Sequence, residues 1–543
     1  MFKSVYAKVA VILMCWMLIF PLSSYAATSN NVTVTDIAAG NGYSLILSSL
    51  GKVEVFGNCS GNINHIANVS NIESIYAGLD FALGELSDSG LVVVGDNSKG
   101  EIGFTQDPTY YENCSNTLFN HVNYMGGHSN GAGIVSSSIS PFQSGVEVPY
   151  DIKVNYDTSS LVPCGNFGKI ILIDSTGQVF YPYCSINSNN NGIDIKLGDN
   201  MINDVISEIY YLVIPSSAVG EIEYLNGKPV IVPYTNNYVI QFTNKSRNGQ
   251  SIQAYSPIIQ VVTSPSSDTI FVVRKDGLVV GWGDNEYKLL THNYINGNPV
   301  KYFSTPVIIN SAKNAYLQNV SQIAEGKDFV VVLKTDERVY SWGNNEYGQL
   351  GISNTDTKYE EYAVPVINMA DQTGYLTNIR SITCGKYFAA ALNKDQLGGY
   401  SWGNNYEGQC AVGLPDPIVS SATPLDLPFN YILSINAGGS DLEVRRANDD
   451  SIWFVGQNDE GQFGDLSTSA SYDINAVVEE FPHDAVGLYG TGKISISEDH
   501  VLAIDWNGVA WAWGDNNFGQ LGFDTGSQGY SAVASPMCVN YSN

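Results

Sequence analysis

The sequence predicts an all-β chain built from repeated antiparallel sheets, and three observations carry that prediction. The phrase "VYSWGNNEYGQLG" at 339–351 returns as "YSWGNNYEGQCAVG" at 400–413, "WFVGQNDEGQFG" at 453–464 and "AWAWGDNNFGQLG" at 510–522. Each copy follows two strand-length apolar runs rather than a helix-length one. The glycine that closes the last run recurs at steps of 60, 60, 53 and 58 residues from Gly283 to Gly514. Periods of this size mark solenoids, propellers or arrays.

The elements of one unit can be read in order. "IAEGKDFVVVLKTDERVYSWGNN" at 323–345 shows a short apolar strand, a Gly, an aromatic three residues on, and a second apolar strand. A polar turn and a third strand follow, and that strand ends in aromatic-Gly or Val-Gly. The turns "SDSG", "RKDG" and "DWNG" supply the Asp, Asn and Gly that tight hairpins need for positive φ. A Gly at a strand end lets backbones approach closely. These glycines are Gly57, Gly95, Gly283, Gly343, Gly403, Gly456 and Gly514. They are structural repeat positions, and a unit of this size repeated radially is a propeller blade.

The gap from Gly95 to Gly283 holds 188 residues. Within it, 105–250 follows the grammar weakly, with degenerate units near Cys164 and Ser217. The expectation is a seven-bladed ring with either an insertion or degenerate blades at 105–250; eight or nine blades are the alternatives. "SPMCVNY" from Ser535 resembles "STPVIIN" from Ser304 but has no unit after it. The N-terminal unit at Val34 lacks such a strand before it. The C-terminal strand is therefore expected to pair with the N-terminal unit and close the ring.

These residues resemble the regulator of chromosome condensation repeat family, whose members are seven-bladed propellers. The signature is Gly-x-x-His or aromatic, an apolar strand, an Asp-Gly turn, Trp-Gly-x-Asn and Gly-Gln-Leu-Gly. It stands at 326–351, 385–413 and 497–522, with Gln349, Gln409, Gln462 and Gln520 at the family's Gln. The family's usual His appears as His500; Tyr43, Phe81, Phe329 and Phe388 stand in its place elsewhere. The resemblance implies the fold, and implies binding to a protein. It does not bring nucleotide-exchange activity, which depends on partner-specific loops rather than on the repeat.

Outside the repeat, the first 26 residues read as a secretory signal. Lys3 and Lys8 precede an apolar run, and Ser24 and Ala26 stand at the -3 and -1 positions of cleavage after Ala26. The 27–543 remainder is expected to be one propeller domain, secreted or periplasmic, monomeric and not inserted in a membrane. Its formal charge, -28 for the whole chain, disfavours nucleic acid and anionic membranes as partners. Seven cysteines follow the signal. Cys164 with Cys184, and Cys384 with Cys410, each bracket a hairpin and are candidate disulfides.

No HExxH, GxSxG or P-loop occurs, so no catalytic residue, metal site or cofactor is predicted. The acidic phrases "GDNNFG" and "QNDEGQFGD" lack calcium-loop spacing and read as corner turns. Trp282, Trp342, Trp402 and Trp513 read as core. Loops are the place to expect binding, and Tyr110 and Tyr111 are the candidate interface residues. The function expected is a non-enzymatic protein-binding propeller, acting as inhibitor, adhesin or scaffold. The alternatives are a carbohydrate-binding propeller, or an enzyme that uses the central channel or the insert.

Overall fold

The computed structural model describes residues 32–58, 63–87, 91–96, 98–99 and 101. It also describes the strands of 116–244 with parts of their connections, 258–290, most of 294–464, and most of 493–537. Residues 1–31, and with them the signal segment, lie outside the described residues, as do Tyr110, Tyr111, Cys59, Cys114 and Cys538.

Seven sheets among the described residues are antiparallel meanders of three or four strands. The first contains Val34–Ala39, Tyr43–Ser48 and Val53–Gly57, and the second runs from Ile72–Ala77 to Asn116–Leu118. The third opens on Ile258–Val262, the fourth on Val320–Gly326 and the fifth on Ile379–Cys384. The sixth opens on Ile432–Gly438 and the seventh on Ile494–Ile496. Each packs on its successor through one apolar cluster. Leu45 meets Ala82, Phe81 meets Ile270, Phe271 meets Val330, and Val331 meets Ala389 within these clusters. The series continues through Leu442 and Phe454 to Trp513. It closes where Leu502 and Ala512 of the seventh sheet share a cluster with Val34, Ile37 and Ile46 of the first. Sheets that pack in sequence, with the last on the first, make a β-propeller.

The closure differs from the expectation. The last strand, Tyr530–Pro536, pairs with Ala510–Asp515 of its own sheet and not with the N-terminal sheet. The segments "STPVIIN" and "AVPVIN" likewise overlap the fourth strands Tyr302–Ile308 and Tyr359–Pro365, which belong to the units before them. The second, third, fourth, fifth and seventh sheets thus each carry their own outer strand. The first sheet has three strands among the described residues, and the 3-10 turn Ile63–Asn68 packs Ile63 and Ile66 into its core. The ends meet through side chains and the Val34 N–H, which donates to Gly508 O at 2.8 Å.

A bulge in the first strand adds a second link between sheets. In six sheets the register shifts beside the strand's third residue, as at Asp36, Gln260 and Gln322. A bulge leaves that residue free to turn away from its own ladder. Gln322 donates to Ile382 O at 3.3 Å and accepts from Ile382 N at 3.0 Å; Gln260 does the same to Ile323, at 2.9 Å both ways. Asp36 accepts from Ile75 N at 2.9 Å and pairs with Lys493, so this slot also ties the first sheet to both neighbours. The Gln322→Ala variant strands both main-chain groups of Ile382. It should lose about 1–2 kcal/mol in urea unfolding, with an unchanged slope against denaturant.

Region 105–250 departs from the meander, apart from Asn116–Leu118, which is the fourth strand of the second sheet. One sheet there has the order Tyr183–Ile186, Gly192–Lys196, Asp151–Tyr156, Ile134–Ser137. Another joins Tyr238–Asn244 to Gln143–Val146 in parallel. Ile152, Val154, Leu172, Ile193 and Leu212 form a cluster separate from those of the ring.

The candidate disulfides do not form: Cys164, Cys184, Cys384 and Cys410 are all free. Cys384 ends the first strand of the fifth sheet, whereas Cys410 lies in the corner after its third strand. Cys410 is buried there with its N–H on Asn405 Oδ1 and its thiol on Asn404 O. Cys164 follows the strand Leu161–Pro163 of one sheet, whereas Cys184 lies within the strand Tyr183–Ile186 of another.

Candidate functional site

The recurring residues are consumed by the frame. The Nε1–H of Trp342, Trp402 and Trp513 donates to Leu289 O, Gln349 O and Gln462 O of the preceding unit at 2.9, 2.9 and 2.6 Å. Trp282 reaches Glu101 O at 2.8 Å in the same way. All four rings are fully buried, each withdrawing about 200 Å² from water, on the order of 5 kcal/mol. The corner is held by its own side chains. Asn345, Asn405, Asn458 and Asn516 accept the N–H five residues on, and Gln349, Gln409, Gln462 and Gln520 accept the N–H two residues back. The acidic corner phrases are therefore turns. His500 is buried between Ser497 Oγ at 2.7 Å and Ser44 Oγ at 2.9 Å, and burial lowers its pKa to about 3. It links the seventh sheet to the first as a neutral ring.

What does not repeat lies at one end of the ring, where the turns after the first strands gather. Between the Gly and the aromatic, two residues intervene in most units, as Lys327 and Asp328 do. Register places Ser264 at the Gly position and Thr269 at the aromatic, with four residues between them. This longer loop reaches across the ring. Ser266 Oγ donates to Glu498 Oε1 of the seventh sheet at 2.8 Å, and Lys386 Nζ of the fifth donates to Glu498 Oε2 at 2.9 Å. Ser267 O accepts from Leu79 N of the second sheet at 3.2 Å.

Beside the loop is a cavity of about 260 Å³, walled by Leu79, Asp268, Asp284, Tyr287, Lys327 and Asp328 among others. Its acids outnumber the two lysines beside them. Lys99 approaches Asp284 at 3.4 Å, while Lys327 Nζ lies 5.9 Å from the centre of the Tyr387 ring. Burial, and then Asp80 and Asp284, raise Asp268 to about 6; burial likewise raises Asp328 to about 6. Behind Ser267 lies Glu325, 4% exposed. Its Oε1 accepts from Ser267 Oγ at 2.7 Å, and its Oε2 has no hydrogen-bond partner. Burial holds the Glu325 carboxyl well above its ordinary range. Asp268 Oδ1 is also buried without a partner.

Sequence reasoning placed binding at Tyr110 and Tyr111, outside the described residues, and passed over this loop. The signal was present: "SPSSDT" breaks the spacing that "GKDF" and "GKYF" keep, and Asp stands before the aromatic position at 80, 268, 328 and 499. The seven repeat glycines all have positive φ, from 96° at Gly57 to 135° at Gly95.

The regulator of chromosome condensation (RCC1) repeat is matched over residues 336–392, and in a second form over 320–349. The chain carries RCC1 repeats. Protein pim1 of Schizosaccharomyces pombe is 25% identical over 209 residues, 36% of this chain and 37% of that protein. The guanine nucleotide exchange factor SRM1 of Saccharomyces cerevisiae is 26% identical over 205 residues, 36% of this chain and 41% of that one. The chain thus spans about two fifths of the length of these relatives. Yeast RCC1 (Prp20), solved with Kap60, aligns over 93% of this chain and 84% of its own at 16% identity, with a TM-score of 0.48. The RCC1-repeat propeller is the fold, and its repeat residues account for the Trp, Asn, Gln and Gly positions above.

Proposed function

We propose that the chain is an exported, non-enzymatic RCC1-repeat propeller that binds a protein partner at the mouth carrying the 264–269 loop. The observation that carries this reading is the concentration of acidic groups there, around a loop whose spacing departs from the repeat, while the Trp, Asn and Gln repeat residues are spent on the frame. Exposed rings of Tyr287, Tyr406 and Phe518 stand on the neighbouring corners, and aromatic rings are good interface anchors. RCC1-repeat relatives that act through partners, the exchange factor SRM1 among them, support a binding role. The acidic mouth favours a basic partner over nucleic acid. The Ser266–Glu498–Lys386 bridge spans the mouth and leaves little support for channel-based catalysis.

The test uses the 27–543 chain as bait on envelope and host-surface fractions, and then the purified partner in solution. Retention should weaken steeply with salt. The reading fails if no partner reconstitutes a complex, or if the complex is indifferent to acid-neutralising changes anywhere on this mouth. A glycan array on the same chain separates the carbohydrate reading.

A further inference from the structure

We propose that the outer edge of the first sheet is a docking slot for one extended, basic segment of a partner protein, which adds there as a fourth strand. Among the described residues this sheet ends at Val53–Gly57, and the chain goes on through the turn Ile63–Asn68 to the second sheet. The Ser48 N–H donates to Lys52 O and the Asn58 N–H to Gly42 O, so the even-numbered residues of the last strand bond to Tyr43–Ser48. The main-chain groups of Val55 and Gly57 therefore point to the open side. At the same places in the fourth sheet, Ser341 and Gly343 pair with Val364 and Glu360 of a fourth strand. An unpaired edge of this kind is a template for another chain.

The second observation is the floor of the slot, on the corner of the seventh sheet. In sister units a fourth strand lies on the corner of the unit before it. A Cβ added at Gly348 would meet Ser420 Cα at 3.2 Å, and one at Gly461 would meet Ala532 Cα at 2.6 Å. Lys288 takes that corner place in the third sheet, and Glu361 of the next fourth strand pairs with it. Gly519 is the corner glycine that faces the first sheet, and among the described residues nothing lies within 4 Å of its added Cβ. A cavity of about 670 Å³ stands there instead, walled by Phe56, Asn516, Asn517, Gly519, Phe523 and Asp524 among others. Phe56 occupies the place of the fully buried Trp342 and Trp402, and is only half-buried.

These neighbours state the chemistry of the occupant. It is extended, so that its N–H and C=O groups meet Val55 and Gly57. It carries a small side chain over Gly519, as Ser420 and Ala532 do over their glycines. The Ser353 N–H donates to Ser420 O at 2.8 Å, so the equivalent residue here, Asp524, lies beside the added strand. Asp524 is exposed and supplies the charge on the cavity wall, so a Lys or Arg beside it completes the match. A second copy fits worse, because two chains of net charge -28 repel. The slot owes nothing to the acidic mouth, and its test stands whether or not a partner binds there.

The probe is fluoresceinyl-Lys-Tyr-Ser-Ala-Val-Ala-Ser-Pro-amide, titrated by anisotropy into the 27–543 chain. Behind its lysine it carries the sequence of the fourth strand Tyr530–Pro536, in which Ser531 and Ser535 pair with the third strand. A twin N-methylated at those two serines keeps every side chain and loses the ladder donors, and it should bind at least tenfold more weakly. A twin with Trp in place of the first alanine should do the same, because nothing larger than Ala or Ser fits over Gly519. Val55→Pro should abolish binding, and an edge strand tolerates proline where its N–H faces outward. Asp524→Lys, on an exposed turn, should weaken binding about fivefold. Bound peptide should slow amide exchange at Val55 and Gly57. No binding overturns the proposal, as does equal binding of either twin or wild-type affinity in either variant. Slow exchange at both amides in the free chain also overturns it, since a segment of this chain would then cover the edge. So does self-association that Val55→Pro abolishes, since a second copy would then be the occupant.

Discussion

Replacing Gly343 by alanine should lower the unfolding free energy by about 3 kcal/mol or more. Gly343 closes the third strand of the fourth sheet at φ 103°, a conformation that L side chains rarely adopt. A Cβ there would lie 2.5 Å from Asp328 O and 2.8 Å from Phe329 Cα. Both atoms are backbone, held by the pairing of Phe329 with Gly343 and by the Asn344 N–H on Asp328 O at 2.7 Å. No rotamer change can relieve the overlap, so the register itself must shift. Gly374 is the control, with φ 73° and no atom within 4 Å of its added Cβ. Gly374→Ala should cost only the backbone penalty, about 1 kcal/mol. Urea unfolding of the two variants separates the overlap from the conformational term, and equal losses would mean that close approach contributes nothing.

The same glycines show what could be read from sequence. Gly-x-x-aromatic, the tight polar turn and Trp-Gly impose local geometry, so each repeat declares its first three strands. The fourth strand is different. "STPVIIN" lies between two units, and nothing in its alternation says which neighbour it pairs with. The register does: Gly281 faces Val307 and Ser341 faces Val364, each within its own unit. That single assignment turned an expected strand exchange into closure by side-chain packing. Region 105–250 resisted reading for a related reason. Its strands pair out of chain order, and pairing of that kind leaves no local period. The mouth was half legible. The acids before the aromatic position were visible, but not Glu325. In its sister units Ala77, Cys384 and Ala437 occupy that place, and only the fold shows that a carboxylate there must be buried.

Stability should peak in acid solution, below about pH 4, rather than at neutrality. Two sets of buried groups act in opposite senses. Burial raises Glu101 to about 8, Glu443 to about 7 and Asp499 to about 6, and it raises Asp441 and Glu325 well above the usual carboxylate range. Asp441 has both oxygens unbonded at the position where Phe329 and Phe388 stand in the fourth and fifth sheets. Between the unfolded value near 4 and these folded values, the native chain binds more protons than the unfolded chain. Stability therefore falls as pH rises from about 4 to about 8. His500 has the opposite sign. Its folded pKa of about 3 lies below the usual value of about 6.5, so the unfolded chain binds the extra proton in between. Stability is lost as pH drops through that window, by at most about 1.4 kcal/mol per pH unit for this one group. From about pH 4 upward the carboxylates dominate, and only below that, where they are neutral in both states, does His500 set the slope. The His500→Phe variant installs the residue that Phe81, Phe329 and Phe388 supply in other units. It loses the Ser44 and Ser497 hydrogen bonds, so it starts from a lower baseline. Between about pH 4 and 6.5 its stability should nonetheless fall with pH more steeply than the wild type's, by up to about 1.4 kcal/mol per unit. Urea midpoints from pH 3 to 9 read this slope, and an unchanged slope between pH 4 and 6.5 in His500→Phe would place that titration elsewhere.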